Sequence, residues 1–256
     1  MQTWVLGVVI VGISVLVAHL GLRFVRHRVP LSVLETHQEV AGFIIGVLGA
    51  IYAVLLAFVV VAVWDQFGDA KIAVTTEANQ LIDLSRMAQG FPAASQQRVL
   101  EGLRAYGQSV IDDEWSTMSE GVSSPKTQAA MDNLWQLFRE VEPQTNRENA
   151  LYAESLDRLN QLSDSRRLRV HASGDDIPAV IQILLWGGGL IIIAFTYFFG
   201  VKSVKSQALM TAALAGEVAF ILFLVVALDN PFHGHLRLSP EPMQHALERI
   251  KSLPAS

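Results

Sequence analysis

The sequence predicts an all-α membrane protein in which four transmembrane helices carry a helical-bundle domain inserted between the second and the third. Three observations lead there. Of 256 residues, 51% are apolar and only 17% charged, an excess that a soluble domain of this length would struggle to bury. Four runs with little or no charge, residues 4–22, 41–64, 178–200 and 207–228, approach the roughly 20 helical residues needed to cross a hydrocarbon core. The stretch between the second and third runs, residues 65–177, holds 18 Asp or Glu against 11 Lys or Arg. The chain therefore divides into residues 1–64 (first two spans), 65–177 (soluble bundle), 178–228 (last two spans) and 229–256 (a C-terminal tail).

Each apolar run must form a helix or join a closed barrel, because lipid offers backbone amides no partner. Continuous apolar sequence without strict alternation selects helix. The first run lacks a basic segment before it and is followed by arginines in place of a small-residue cleavage site, so it reads as a retained span and not a signal peptide. Basic residues orient the spans. Arg23, Arg26 and Arg28 follow the first, and Lys202 and Lys205 sit in the turn between the third and fourth, which places both short loops in the cytoplasm. The N-terminus, the acidic domain and the tail then lie outside it. Arg166, Arg167 and Arg169, close to the third span, weigh the other way. The absence of cysteine excludes disulfides and decides nothing about compartment.

The soluble domain reads helical throughout. Phe67, Ala70, Val74, Glu77, Leu81, Leu84 and Ala88 keep one mostly apolar seam, so the second span continues outward as an amphipathic helix that Gly90 and Pro92 stop. Three further segments carry Val99, Leu103, Tyr106 and Val110; Met131, Leu134, Phe138 and Val141; and Tyr152, Leu156, Leu159 and Leu162 at helical spacing. Breaks fall at residues 121–125 and at Pro143. A bundle of about four helices is the simplest outcome.

The stretches HQEVAGFIIGVLGAIYAVLLAFVVVAVWDQF, EANQLIDLSRMA, EWSTM, SRRLR and LDNPFHG resemble the bacterial family of unknown function labelled bestrophin-like, over about residues 37–242. That family is named by analogy to bestrophins, oligomeric chloride channels with four membrane helices per subunit. The resemblance implies a homo-oligomeric channel or channel-like pore. Bestrophins keep their termini and soluble part in the cytosol, whereas the basic residues here point to the opposite orientation.

Residues with a possible place in an ion path come from the spans. Gly42, Gly46, Gly49, Ala53 and Ala57 line small side chains along one face of the second helix. Such a stripe suits close helix packing or, between symmetry-related copies, a narrow path with Tyr52 or Phe58 as a constriction. His37 and Glu39 precede this helix and Asp65 follows it, so an oligomer would carry acidic rings at both mouths, which favour cations; alone, Glu39 suits a helix N-terminus. Glu217 stands eleventh of the 22 residues in the last span. There an ionised side chain facing lipid costs at least about 2.5–3.5 kcal/mol. Either it bonds as a neutral acid to Ser14, Tyr52 or Thr196, or it serves a wet cavity or bound ion. Gly187, Gly188 and Gly189 in the third span permit a bulky neighbour or a hinge.

No cysteine nucleophile, phosphate-cradling glycine loop or paired-histidine zinc motif is present, so neither an enzyme nor a cofactor is expected. His233, His235 and Asp229 are better explained by a turn at Pro231 and Gly234 than by a metal. A net charge of -5 leaves no basic surface for nucleic acid. The expected partners are the bilayer, further copies of the chain and inorganic ions. Two function classes remain: the pore, and a membrane-anchored sensor or assembly factor whose helical domain binds a ligand or partner.

Overall fold

The computed structural model describes residues 3–36, 38–234 and 236–253, with the side chains of Thr3 and Thr36 outside the description. Among the described residues all regular structure is helical. The chain divides into two compact units, residues 1–65 with 176–229, and residues 66–175 with 230–256.

The first unit holds α1 (Thr3–Arg28), the short α2 (Leu31–Thr36), the first part of α3 (Gln38–Ala88), α8 (Ala179–Thr196) and α9 (Val204–Asp229). The α1, α3, α8 and α9 helices are long and apolar enough to cross a membrane. Their large apolar side chains point mostly outward: Phe43, Phe58, Ile183 and Leu190 are all more than 69% exposed. A water-soluble unit would sink such residues; here the exposed surface is what lipid or a neighbouring helix covers.

Small residues set the helix contacts within this unit. On α1 a Cβ at Gly7 would stand 3.0 Å from the Phe223 ring of α9, so glycine there lets these two helices approach. The turn before α9 is tied by Gln207, whose side-chain amide donates to Thr196 O at 3.0 Å and Phe199 O at 2.9 Å. Arg26 of α1 donates to Val201 O at 2.5 Å. The two basic segments therefore meet at one end of this unit. At the end of α9, Asp229 accepts the Ile177 amide at 2.9 Å.

The second unit contains the rest of α3, α4 (Ala93–Ser109), a π-helical turn (Val110–Glu114), the one-turn α5 (Trp115–Thr117) with a 3-10 turn after it (Met118–Glu120), α6 (Pro125–Arg139), α7 (Asn146–Ser173) and α10 (Glu241–Lys251). Its boundaries follow local chemistry. Gly121 ends the 3-10 turn at φ 71°, a left-handed conformation that costs glycine little. Ser124 caps α6 by accepting the Thr127 amide, with Pro125 behind it, where a missing donor does no harm. Thr145 accepts the Glu148 amide while the Glu148 carboxylate takes the Gln144 amide, close to the reciprocal capping pattern.

The four helical seams read from the sequence all reach the core. Leu81, Leu84, Leu103, Tyr106, Val110, Leu134, Phe138, Leu159 and Leu162 are completely buried. One expectation is corrected. The segment read as a tail supplies α10, whose Met243, Ala246, Leu247 and Ile250 enter that same core. Their spacing of three and four places them on one face, opposite Gln244, His245 and Glu248.

Candidate functional site: an acid-bearing groove and a buried charge network

The groove belongs to the first unit. It occupies about 560 Å³ between α3, α8 and α9, and its walls include Gly49, Ala53, Ala57, Leu214 and Glu217. Two features that sequence spacing kept apart, the small-residue stripe and the acid of the last span, thus share one surface. The lining is otherwise apolar. Glu217 is exposed on it, and among the described residues no hydrogen bond reaches its carboxylate.

None of the three partners expected for a neutral Glu217 serves it. The Tyr52 hydroxyl donates to Leu185 O at 2.9 Å, Thr196 shares a 3.0 Å hydrogen bond with Thr211 and also donates to Ile193 O at 2.7 Å, and no hydrogen bond joins Ser14 to the acid. Tyr52 is itself buried against α8. A Cβ on Gly188 would lie 2.6 Å from its ring, and one on Gly189 would lie 2.8 Å from its hydroxyl and 2.9 Å from Val218. The glycine triplet receives a bulky neighbour at two of its positions, and α8 continues through all three. Gly187 meets nothing within 4 Å.

The stripe lies on the open side of α3. Gly46 and Gly49 would have no neighbour within 4 Å of an added Cβ, and Gly42 only Phe199 at 3.9 Å; Ala53 and Ala57 are exposed. Glu39, in the first turn of α3, and Asp65 are also exposed. Phe58 is exposed, whereas Tyr52 is turned away into packing. His37 and His235 lie outside the described residues.

The second unit holds what sequence reasoning missed. Arg169 is fully buried and forks onto Glu77, Nε to Oε2 at 2.5 Å and Nη2 to Oε1 at 3.0 Å, while Nη2 also donates to Glu114 at 2.7 Å. Arg166 donates to both oxygens of Glu114 at 3.2 and 2.7 Å. The Tyr106 hydroxyl donates to Glu77 at 2.5 Å, and the Ser124 amide to Glu114 at 3.2 Å. Two carboxylates and two guanidiniums therefore balance in charge, and the hydrogen bonds satisfy most of their polar atoms, the condition under which burial is tolerated.

Burial alone would push the Glu114 carboxyl up, but hydrogen bonding to Arg166 and the charges of Arg169 and Arg166 outweigh it, so Glu114 titrates below its ordinary range. Burial and the charge of Glu77 hold the Tyr106 phenol well above its usual value. Burial disfavours the charge on Arg169, yet Glu77 more than compensates and the guanidinium stays protonated. The π-helical turn places the extra residue that sends Glu114 inward; such turns interrupt helices mostly at special positions.

An aromatic wall closes the network. Trp115 meets Phe232 edge-on at 5.7 Å, and Arg169 lies 5.8 Å from the Trp115 ring; Met118 Sδ accepts from Arg169 at 2.8 Å. Glu77 opens EANQ, Glu114, Trp115 and Met118 come from EWSTM, Arg166 and Arg169 from SRRLR, and Phe232 from LDNPFHG. Four short stretches, scattered over more than 150 residues of sequence, form one cluster. The available signal was acids within apolar seams and arginines at helical spacing opposite them.

Comparison with known proteins agrees with this architecture. A search of curated proteins finds no match. Crystal structures of a bacterial bestrophin homologue from Klebsiella pneumoniae are similar in fold. One point-mutant form has a TM-score of 0.72 at 15% identity, covering 94% of this chain and 97% of that one. Another mutant form has a TM-score of 0.71 at 15% identity over 94% and 95%, and a zinc-phased structure 0.70 at 15% over 94% and 99%. The family model for the bestrophin-like domain matches residues 12–243, nearly the whole chain, and with the apolar helices it makes this multi-pass membrane protein a member of the bestrophin-like family.

Proposed function

We propose that the chain is a homo-oligomeric ion-conducting pore of the bacterial inner membrane, with four spanning helices and with α3 lining the path. The observation that supports it most is the open face of α3: Gly46 and Gly49 have no neighbours, and the unpartnered Glu217 opens onto the groove that Gly49, Ala53 and Ala57 help to form. Copies of the chain arranged around an axis would enclose this small-residue face. An acid at mid-span is tolerated only beside water, an ion or another polar group. Glu39 and Asp65 at the two ends of the spanning part of α3, with Glu217 between, favour cations; His37 belongs to the same mouth as Glu39. Gly187, Gly188 and Gly189 are the place where α8 could bend as the path opens. No chemistry on a substrate is assigned to these groups. The family resemblance and the similarity to bestrophin homologues support the channel reading.

Ion flux into liposomes tests this. The wild-type chain should conduct a monovalent cation, and Glu217→Gln or Glu39→Gln should lower that flux several-fold. A folded oligomer that conducts no ion under any gradient would defeat the reading. The proposed orientation puts the helical bundle outside the cytoplasm, because Arg23, Arg26, Arg28, Lys202 and Lys205 belong to short loops of the kind that stay cytoplasmic. A reporter at the C-terminus should accordingly be active only outside the cytoplasm; cytoplasmic activity would reverse the orientation.

A further inference from the structure

A second cavity lies wholly in the soluble unit, along the seam of α6 and α7, and occupies about 270 Å³. That is just below the roughly 300–1,000 Å³ range of sites for drug-sized ligands, so its occupant is a small solute. The α6 wall presents Met131, Asp132 and Trp135; the α7 wall presents Asn160, Arg166 and Arg167. On α6 Trp135 follows Asp132 and Met131 by three and four residues, and on α7 Ser163 follows Asn160 by three and precedes Arg166 and Arg167 by three and four, so each set shares one face.

The floor of this cavity is a charged side chain with capacity to spare. Arg166 is 6% exposed, and a guanidinium carries five N–H groups. Nε and one N–H of Nη2 serve Glu114, and one N–H of Nη1 serves Gln128 at 2.5 Å. One N–H on each terminal nitrogen is left. Across the seam, Asp132 accepts from Gln128 through Oδ1 at 2.9 Å, which leaves its second oxygen unclaimed. Between them stands Trp135, whose indole N–H is already given to Ser163 at 3.2 Å; its ring offers only an apolar face.

The charges choose the ligand class. A simple anion would find the Arg166 charge largely neutralised by Glu114 and would face Asp132 unmatched. A simple cation would match Asp132 but leave the remaining N–H groups of Arg166 without an acceptor, Arg167 being paired with Asp164 at 2.5 Å. A molecule with a carboxylate and an ammonium on one carbon and a short side chain suits both walls and the indole. We infer that the α6–α7 seam is a binding site for a free α-amino acid, with its carboxylate toward Arg166, its ammonium toward Asp132 and its side chain against Trp135 and Met131. Binding there draws on the same guanidinium that holds Glu114, one hydrogen bond away from the Arg169–Glu77 clamp on α3. Any effect on conduction rests on the pore reading above; the binding does not.

Isothermal titration of the full chain in detergent, against each of the twenty L-amino acids, tests the assignment without measuring flux. At least one should bind saturably, and its des-amino acid and its decarboxylated amine should each bind at least tenfold more weakly. Asp132→Asn, at an exposed position, and Trp135→Ala should each weaken the amino acid at least tenfold; Asp132→Asn should leave the unfolding temperature within a few degrees of wild type, whereas Trp135→Ala, which also removes packing on the core, should lower it. Absence of saturable binding by the whole panel to a folded chain overturns the proposal. So does equal affinity for the des-amino acid, or unchanged affinity in Asp132→Asn.

Discussion

Replacing Arg169 with alanine is expected to destabilise the second unit by about 3–5 kcal/mol, the usual consequence of removing one partner from a buried ion pair. The reason is what stays behind. Glu77 keeps only the Tyr106 hydroxyl at 2.5 Å, and Glu114 loses one of its two cations, so a fully buried carboxylate is left without a counter-charge. Thermal unfolding in detergent should fall on the order of 10 °C. The double variant Glu77→Leu/Arg169→Met should recover much of the loss, because removing both charges also removes the unpaired one. Were the double variant as unstable as the sum of its parts, the two residues would not be acting as a pair.

The same network fixes a pH dependence. The Glu114 carboxyl is depressed in the folded state, so the unfolded chain takes up its proton first as the pH falls. The stabilisation is complete above the ordinary carboxylate range near pH 4.3 and is lost as the pH drops through the lower folded value. Unfolding temperature should therefore hold between pH 7 and pH 5 and fall below about pH 4. Glu114→Gln should flatten that acid limb. A decline already in progress at pH 6 would point to other groups.

The second large effect belongs to the glycine triplet. Gly189→Leu should prevent correct packing of the first unit, since even a Cβ there stands 2.8 Å from the Tyr52 hydroxyl and 2.9 Å from Val218. Overpacking of this kind costs about 1–3 kcal/mol and occasionally more, and here it presses on α3 and α9 together. Gly187→Ala is the contrasting case. With open space around that position and an alanine worth about 1 kcal/mol more than glycine in a helix in water, stability should be unchanged or slightly higher. If α8 bends at the triplet during gating, Gly187→Ala will slow conduction without lowering the unfolding temperature. A loss of stability in Gly187→Ala equal to that in Gly189→Leu would mean that the triplet packs on all sides. Both variants are read by thermal unfolding and by liposome flux.

The periodic features were legible because they are local. Helical spacing alone placed Leu81, Leu103, Leu134 and Leu159 in the core, and each is completely buried. Gly90 with Pro92, and Pro143, end helices through backbone chemistry that needs no tertiary partner. Four long apolar helices were equally plain. The α10 helix was missed although its Met243, Ala246, Leu247 and Ile250 have the proper spacing. Eleven residues between prolines and a polar end carry too little pattern to stand out from a tail, and it is packing that holds so short a helix.

Charged residues divide in the same way. Sequence alone determined the long apolar helices, the acidic helical stretch between them and the anomaly of Glu217 within the last apolar run, because hydropathy and periodicity depend on neighbours a few positions apart. Only the tertiary structure decided which polar groups meet. Glu77 looked like an imperfection in an apolar seam and Arg169 like one more basic residue near a span, yet they are 92 residues apart and share two hydrogen bonds. Glu217 was given three possible partners and has none of them; it faces instead the groove that carries the small residues of α3. A hydrogen bond or ion pair is satisfied at about 3 Å in space, and separation along the chain places no constraint on which two groups come that close.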